Sequence, residues 1–420
     1  MRVLYGFLLG LGSAVPGLAQ SFTPSNIVFE GAPEYRQEQL LAAAGLSLGK
    51  PVTQAQLDEA TQRLGDQGLF SSVDYQTLGP ILTFSLKPVD AAQMQTVEFA
   101  NFPMFQPADL LAGVEKRVPL FNGKVPLASP IQQRVERALE SMLKDQGITA
   151  RVNSIRTQGG KLDYSIASPP VKVSALDIGG ADWNQMPALK EVRDRVVGSD
   201  YTEEFSGEGL RTNLLDAYRD MGYMDAAVTD VAHGSAQVEA DRIAVPIVAK
   251  ADPGPVYTVT RLELPRTVAG INPEEIAAAS LLKVGAPASR VLVLGTSARL
   301  QGVYAGHGYL DATTSVDPAK DTRAHTLAYS FHAVPGEIYR MRALGVRGLT
   351  EVQAQSAKTA WKLKTDAIFE RRMLLAFQQN GAAATLCEGK PVEVSVAPEH
   401  VAHVVDVLLS CPGSFSTGNE

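Results

Sequence analysis

Gly222-Tyr223-Met224-Asp225-Ala226 returns as Gly308-Tyr309-Leu310-Asp311-Ala312, each copy closing an amphipathic helical stretch and preceding an alternating strand. A second marker moves in step with it. Pro253-Gly254-Pro255-Val256-Tyr257 precedes one strand, and Pro335-Gly336-Glu337-Ile338-Tyr339 precedes another. Two markers advancing together mean a repeat, and the repeat decides the fold. The helix-ending glycines Gly68, Gly147, Gly222, Gly308 and Gly381 are 79, 75, 86 and 73 residues apart, so five units of roughly 80 residues fill the chain. A unit of that size carries its own core, and the array is expected to behave as beads rather than as one continuous core.

Each unit reads strand, helix, helix, strand, strand. In the first, 27–30 alternates as a strand and 35–44 has helical spacing. Thr53 caps a second helix over 54–67 that Gly68 stops, and strands 73–77 and 81–86 flank a Leu78-Gly79-Pro80 turn. The fourth unit gives 257–264, 273–280, 289–305, 313–316 and 326–334, and Val291, Leu294, Ala298 and Val303 make an apolar stripe along its second helix. The third gives 173–178, 189–197, 208–221, 226–231 and 243–249; Pro246 interrupts the last strand and argues for a bulge or a shifted boundary. The second gives 96–100, 107–114, 131–145, 150–155 and 162–166, with a long loop at 119–130 and Gly147-Ile148-Thr149 in place of the Gly-aromatic step. The fifth gives 341–346, 352–360, 368–379, 392–396 and 404–409, then a polar tail over 412–420.

The arrangement follows from this order. The first strand crosses over two helices before the sheet resumes, so it pairs in parallel with the last strand by a right-handed crossover, while the last two strands form a hairpin. Both helices then cover one face of a three-stranded sheet. The middle strand in space is the last in sequence, which leaves the fourth element, the strand after Gly68, Gly222 or Gly308, on an open edge.

The composition is that of an ordered chain, with 45% hydrophobic and 20% charged residues and a net charge of −7. An acidic chain without Lys/Arg runs is a poor polyanion binder, so nucleic acid is not an expected partner. Residues 1–19 show a basic start, an apolar run and small residues, the layout of a cleaved secretory signal rather than of an N-terminal strand or helix. Beyond them no apolar run approaches the length of a membrane-spanning helix.

With this order and these markers the chain resembles the POTRA (polypeptide-transport-associated) domains that precede the barrel of the Omp85 outer-membrane assembly proteins. The likeness rests on the element order, on the two Gly-Tyr-x-Asp-Ala steps and on the Pro-Gly-x-x-Tyr junctions. It is clearest in the third and fourth units and visible in the first through Gly68-Leu69-Phe70-Ser71-Ser72-Val73. It implies an α+β fold: a tandem array of five POTRA-like β-α-α-β-β domains, each a three-stranded mixed sheet covered by two helices. The expected boundaries are 22–90, 93–169, 171–255, 256–338 and 339–415. Omp85 proteins continue into a membrane barrel, whose alternating ten-residue segments this sequence does not offer, so no pore or insertase activity is implied.

Gly222 and Gly308 suit positive φ at a helix stop, and Tyr223 and Tyr309 are expected to drop their rings between the helix pair and the sheet, which makes them residues that hold the fold. At the junctions Gly254 and Gly336 add freedom that Pro253, Pro255 and Pro335 restrict, leaving stiff and flexible junctions both open.

Chemistry is sparse. Cys387 and Cys411 lie just outside the two strands of the last hairpin, so a disulfide is expected, with two separate thiols or a metal or redox site as alternatives. His400 and His403 flank the last turn with only Glu399 and Asp406 nearby, which reads as a solvated turn rather than a metal site. Ser141 and Lys144 share a Ser-x-x-Lys spacing on a helix with no companion motif. No set of nucleophile, base and orienting group is visible, and neither catalysis nor a cofactor is expected.

The expected function is that of a periplasmic scaffold or chaperone assisting outer-membrane protein assembly or export. Its partners would be an outer-membrane β-barrel protein or unfolded precursors of one, bound as extended segments added to an open edge. The alternative is a structural adaptor linking envelope complexes. The best edge candidates follow the two clearest signatures: Val228 and Thr229, and Thr313, Thr314 and Ser315, unless charges such as Asp230 and Asp317 blunt them.

Overall fold

A computed structural model describes residues 21–411 apart from 128, 158, 180, 183–184, 380–386, 388–389 and 391. The expected signal, the marker Gly381 and the polar tail lie outside the described residues. The chain divides into two compact units. One holds the described residues up to 177 with 195–210 and 231–248, the other 178–194, 211–230 and 249 onward.

The first unit carries repeats one and two. Repeat one runs β1 (Ser21–Phe22), β2 (Asn26–Glu30), α1 (Gln37–Ala44), β3 (Val52–Thr53), α2 (Gln54–Gly65), β4 (Phe70–Leu78) and β5 (Ile81–Pro88). Thr53 accepts the amide of Gln56 at 3.3 Å while the Gln56 side chain accepts the amide of Thr53 at 2.9 Å, a reciprocal cap that satisfies two donors at the start of α2. β2 lies parallel and β4 antiparallel to β5, giving the order β2-β5-β4. Alternation along β5 buries Leu82, Phe84 and Leu86, and helical spacing buries Leu57, Ala60 and Leu64 of α2.

Repeat two runs β6 (Met94–Phe99), α3 (Pro107–Arg117), β7 (Lys124–Pro126), α4 (Pro130–Asp145), β8 (Arg151–Arg156) and β9 (Leu162–Ser168). The long loop contains β7, which pairs antiparallel with β6 and extends the sheet to β7-β6-β9-β8.

Repeat three has residues in both units and runs β10 (Val171–Gly179), α5 (Pro187–Val196), α6 (Leu210–Asp220), β11 (Ala227–His233), β12 (Gln237–Val238) and β13 (Ile243–Asp252), in the order β10-β13-β11 with β12 also on β13. Pro246 sits inside β13 rather than ending it. Beside it β11 has stopped and β12 has not begun, so the missing amide falls opposite a loop, and the Pro246 carbonyl accepts the Gly234 amide at 2.7 Å.

The second unit carries repeats four and five. Repeat four runs β14 (Thr258–Glu263), α7 (Pro273–Ala279), α8 (Arg290–Gly306), β15 (Thr313–Asp321) and β16 (Thr326–Val334), in the order β14-β16-β15. Repeat five runs β17 (Arg340–Arg347), α9 (Glu351–Ala360), α10 (Arg371–Gln378), β18 (Glu393–Glu399) and β19 (Val404–Ser410), in the order β17-β19-β18. In both, the first strand is parallel and the fourth element antiparallel to the last strand, as the crossover argument requires. The two repeats have distinct cores, one around Tyr257, Leu300, Tyr304 and Phe331, the other around Tyr339, Trp361, Phe369 and Val407. Each large apolar side chain so buried contributes about 1.5–3 kcal/mol, against about 0–1 kcal/mol for a surface ion pair, so these cores set the stability of their repeats.

One helix face was expected wrongly. Val291, Leu294 and Ala298 point outward on α8, and its core stripe is Val293, Thr296, Leu300 and Tyr304. The polar member of that stripe is tolerated because Thr296, fully buried, accepts the Leu281 amide at 2.9 Å.

The expected disulfide joins Cys387 and Cys411, whose Cα atoms are 5.5 Å apart across the ends of the last hairpin. Closing a loop of 24 residues contributes about 3.5 kcal/mol in the chain-entropy model.

Candidate functional site: open strand edges and inter-repeat joints

The strand that follows the helix-ending glycine is the outer strand of its sheet in all five repeats: β4, β8, β11, β15 and β18. The five candidate residues lie on such strands but are not equivalent. Val228 is buried, and its carbonyl accepts the Arg211 guanidinium, so it offers little to a partner. Thr229 is exposed, with its hydroxyl donating to the Lys250 carbonyl at 3.3 Å. Thr313 and Ser315 are exposed as well, whereas Thr314 turns toward α8 and donates to the Ser297 carbonyl at 3.3 Å. β15 runs five residues past Val316 and is blunted there by Pro318, which lacks an amide, and by Asp317, 3.0 Å from His332.

A third edge escaped the sequence reading. β18 borders a cleft of about 780 Å³ whose apolar lining includes Leu310, Phe369, Leu374, Val394 and Val396, with Arg371 among its polar residues. Its signal, an alternating Val394-Ser395-Val396 strand next to an amphipathic helix, is present in the sequence, but no Gly-aromatic step marks it there.

The Gly-Tyr-x-Asp-Ala steps do more than hold their own repeat. Gly222 and Gly308 have φ of 98° and 95°, as their place at a helix stop requires. A Cβ on Gly222 would come within 3.1 Å of Pro287, and one on Gly308 within 2.5 Å of Ile368, each in the next repeat just before its second helix. The variable residue crosses over too: Met224 packs against the core of repeat four and Leu310 against the core of repeat five. The glycine carbonyls of Gly222 and Gly308 accept the amides of Tyr257 and Tyr339, each at 2.9 Å. The carboxylates then meet the same tyrosines, whose hydroxyls donate to Asp225 and, at 2.5 Å, to Asp311. Both markers therefore belong to one joint, in which the step of one repeat grips the junction tyrosine of the next. The expectation that Tyr223 and Tyr309 fill equivalent places is met in part, since Tyr309 is buried while Tyr223 is half-buried, each edge-on to a helix tyrosine.

A cation completes each joint. Lys320 bonds Asp225 and lies 4.7 Å from the centre of the Tyr257 ring. His400 Nδ1 lies 2.9 Å from Asp311 and 2.8 Å from the Tyr339 hydroxyl, so the turn holding His400, exposed as expected, is also part of the joint. The Lys320 ammonium first, then the Tyr257 hydroxyl, hold the Asp225 carboxyl below the usual range. The Tyr339 hydroxyl does the same for Asp311, with His400 and His403 adding to it against desolvation. Burial first, then its bond to Asp311, push Tyr339 up to about 12, so the phenol remains a donor at every ordinary pH.

Among the described residues no group of three or more His, Cys, Asp or Glu could hold a metal, and no helix is long and apolar enough to cross a membrane. Ser141 and Lys144 are both exposed on α4.

Residues 23–89 match the family model for POTRA, described as "Surface antigen variable number repeat". The strand order of the matched repeat, with the last strand between the first strand and the fourth element, recurs in the other four repeats. It is similar to POTRA domains 3–5 of Haemophilus influenzae BamA, with 18% identity over 57% of this chain and 96% of that one and a TM-score of 0.42. It is also similar to POTRA domains 1–3 of Omp85 from Anabaena, with 14% identity, 58% and 95% covered and a TM-score of 0.23. The N-terminal domain of Omp85 from Thermosynechococcus elongatus gives 14%, 75% and 98%, with a TM-score of 0.17. None of the curated proteins compared with the chain matches it.

Proposed function

We propose that this chain is a periplasmic scaffold or chaperone in outer-membrane protein assembly or export, and that it binds extended segments of a barrel protein or its unfolded precursor by strand addition. The observation that carries this reading is the open strand that forms the fourth element, which recurs in every repeat and in repeat five borders a partly apolar cleft. An open strand presents unpaired amides and carbonyls, so main-chain hydrogen bonds supply affinity and alternate side chains supply modest selectivity. The POTRA match of the first repeat supports the setting. A structural adaptor linking envelope complexes is the second reading, favoured by the blunting of β15 at Asp317 and Pro318.

The test is binding of an unfolded outer-membrane barrel precursor to the wild type and to proline variants of each edge, with circular dichroism as the folding control. Neighbouring residues of a strand point their amides to opposite sides, so one of each pair Thr314→Pro and Ser315→Pro, or Ser395→Pro and Val396→Pro, removes an outward donor. Weakened binding by a folded member of a pair supports strand addition. Equal binding by all four folded variants contradicts it, and no binding by the wild type favours the adaptor.

A further inference from the structure

The two motif joints are copies of one another except at the cation. Val316-Asp317-Pro318-Ala319-Lys320 and Val396-Ala397-Pro398-Glu399-His400 align on their edge-strand prolines, and in both the residue two places after the proline reaches back to the aspartate of the preceding step. The rest of the frame is shared. His325 and His403 occupy the following turn with φ of 50° and 51°. Their carbonyls accept the amides of Thr258 and Arg340, and their rings stand edge-on to Tyr257 and Tyr339 at 5.6 and 5.3 Å. A lysine carries its charge throughout the ordinary pH range, whereas an imidazole is the side chain whose charge changes between pH 8 and pH 5.

We propose that the joint between repeats four and five is a pH-tuned hinge: protonation of His400 adds an ion pair with Asp311 across the joint, while the Lys320 joint between repeats three and four holds alike over the same range. With a neutral ring the fourth joint keeps the Tyr339–Asp311 bond and a single neutral bond from His400. With a charged ring it gains an attraction that only the closed joint can make, so acidification closes it. The groups facing His400 are consistent with this sign. Asp311 comes from repeat four, and Tyr339, His403 and Glu399 come from repeat five, with Arg340 next to the tyrosine and Arg342 lying 3.9 Å from Glu399. Asp311 is the carboxylate that meets the ring, and it stays ionised below the usual carboxylate range, so the closing effect persists until Asp311 itself is protonated.

The test places nitroxide labels on cysteines replacing the exposed Val284 of repeat four and Val352 of repeat five, in the full chain with its native disulfide, and measures the distance distribution at pH 8 and pH 5.5. The expected result is a rise of about two- to fivefold in the ratio of closed to open populations on acidification, the size of an exposed ion pair. His400→Gln should abolish the change, and His400→Lys, which copies the other joint, should be closed at both pH values. Labels at Thr229 and Val284, spanning the Lys320 joint, should report no change. An unchanged distribution in the wild type, or the same shift in His400→Gln, overturns the proposal.

Discussion

At the joint between repeats one and two, Gly68 brings its backbone within reach of Ser129 and Pro130, just as Gly308 does with Ile368 between repeats four and five. Beyond the glycine the two diverge. The first joint is fastened by polar bonds in both directions: the Arg134 guanidinium donates to the Asp66 carbonyl at 3.0 Å and to Gln67, at the end of α2, and the Gln39 side chain donates to the Pro119 carbonyl at 2.9 Å. The fourth is fastened by an apolar plug as well as polar bonds: Leu310 sits in the next core, Asp311 accepts from a buried tyrosine, and His400 reaches back to Asp311. At these two joints the helix-ending glycine lets one repeat approach the next, whereas nothing comes within 4 Å of a Cβ built on Gly147. The Tyr-x-Asp that follows it adds coupling, because an apolar plug and a carboxylate–phenol bond tie the core of one repeat to that of its neighbour.

The largest effect should come from the disulfide. Replacing Cys387 and Cys411 by alanine should lower the stability of repeat five by about 3.5 kcal/mol, read from urea unfolding followed by Trp361 fluorescence. If coupling at the fourth joint is real, repeat four should lose hydrogen-exchange protection in the same variant while repeats one and two keep theirs. Gly308→Val should destabilise by roughly 1–3 kcal/mol, from strain at positive φ and the approach to Ile368. Gly68→Val should cost a similar amount, since its Cβ would lie 2.8 Å from Pro130 and the same strain applies. Equal sensitivity at both would place the glycine requirement in the shared part of the joints.

Smaller effects separate the fastenings. Tyr339→Phe should weaken coupling of repeats four and five by about 1 kcal/mol, the worth of a hydrogen bond to a charged group at a half-exposed site. Arg134→Ala should weaken the first joint by about 0.5–1 kcal/mol, read as a shift in the unfolding midpoint of repeat two. The least effect is that of acid. Asp225 and Asp311 have lowered folded-state pKa values, so their contribution is fully present above the ordinary carboxylate pKa and is lost as pH falls through the lowered one. Urea titrations between pH 6 and pH 2 should show the second unit losing coupling there, and Asp225→Asn with Asp311→Asn should flatten that loss.

Much of this fold was legible because it repeats. The order of elements around Gly222 and Gly308, with the crossover rule, led to the parallel first strand, the hairpin and the open edge, all of which the sheets contain. The face of α8 was misread because that helix is apolar on two sides, and the buried side includes Thr296, whose hydroxyl is satisfied by a residue 15 places away. The joints were hidden for a related reason. Asp225 and Tyr257 are 32 residues apart and Asp311 and His400 are 89 apart, so the bonds that give the motif its role join residues that no local pattern connects. The β18 cleft likewise depends on Leu310 from one repeat meeting Leu374 from the next.

The central claim is that the Gly-Tyr-x-Asp-Ala step of one repeat stabilises the repeat after it. Hydrogen exchange resolved by peptide in Leu310→Ala tests this most directly, because Leu310 belongs by sequence to repeat four and by packing to the core of repeat five. Loss of protection in β17 and β19, with β14 and β16 nearly unchanged, is the predicted result. Loss confined to β14, β15 and β16, with β17 and β19 as protected as in the wild type, would contradict it.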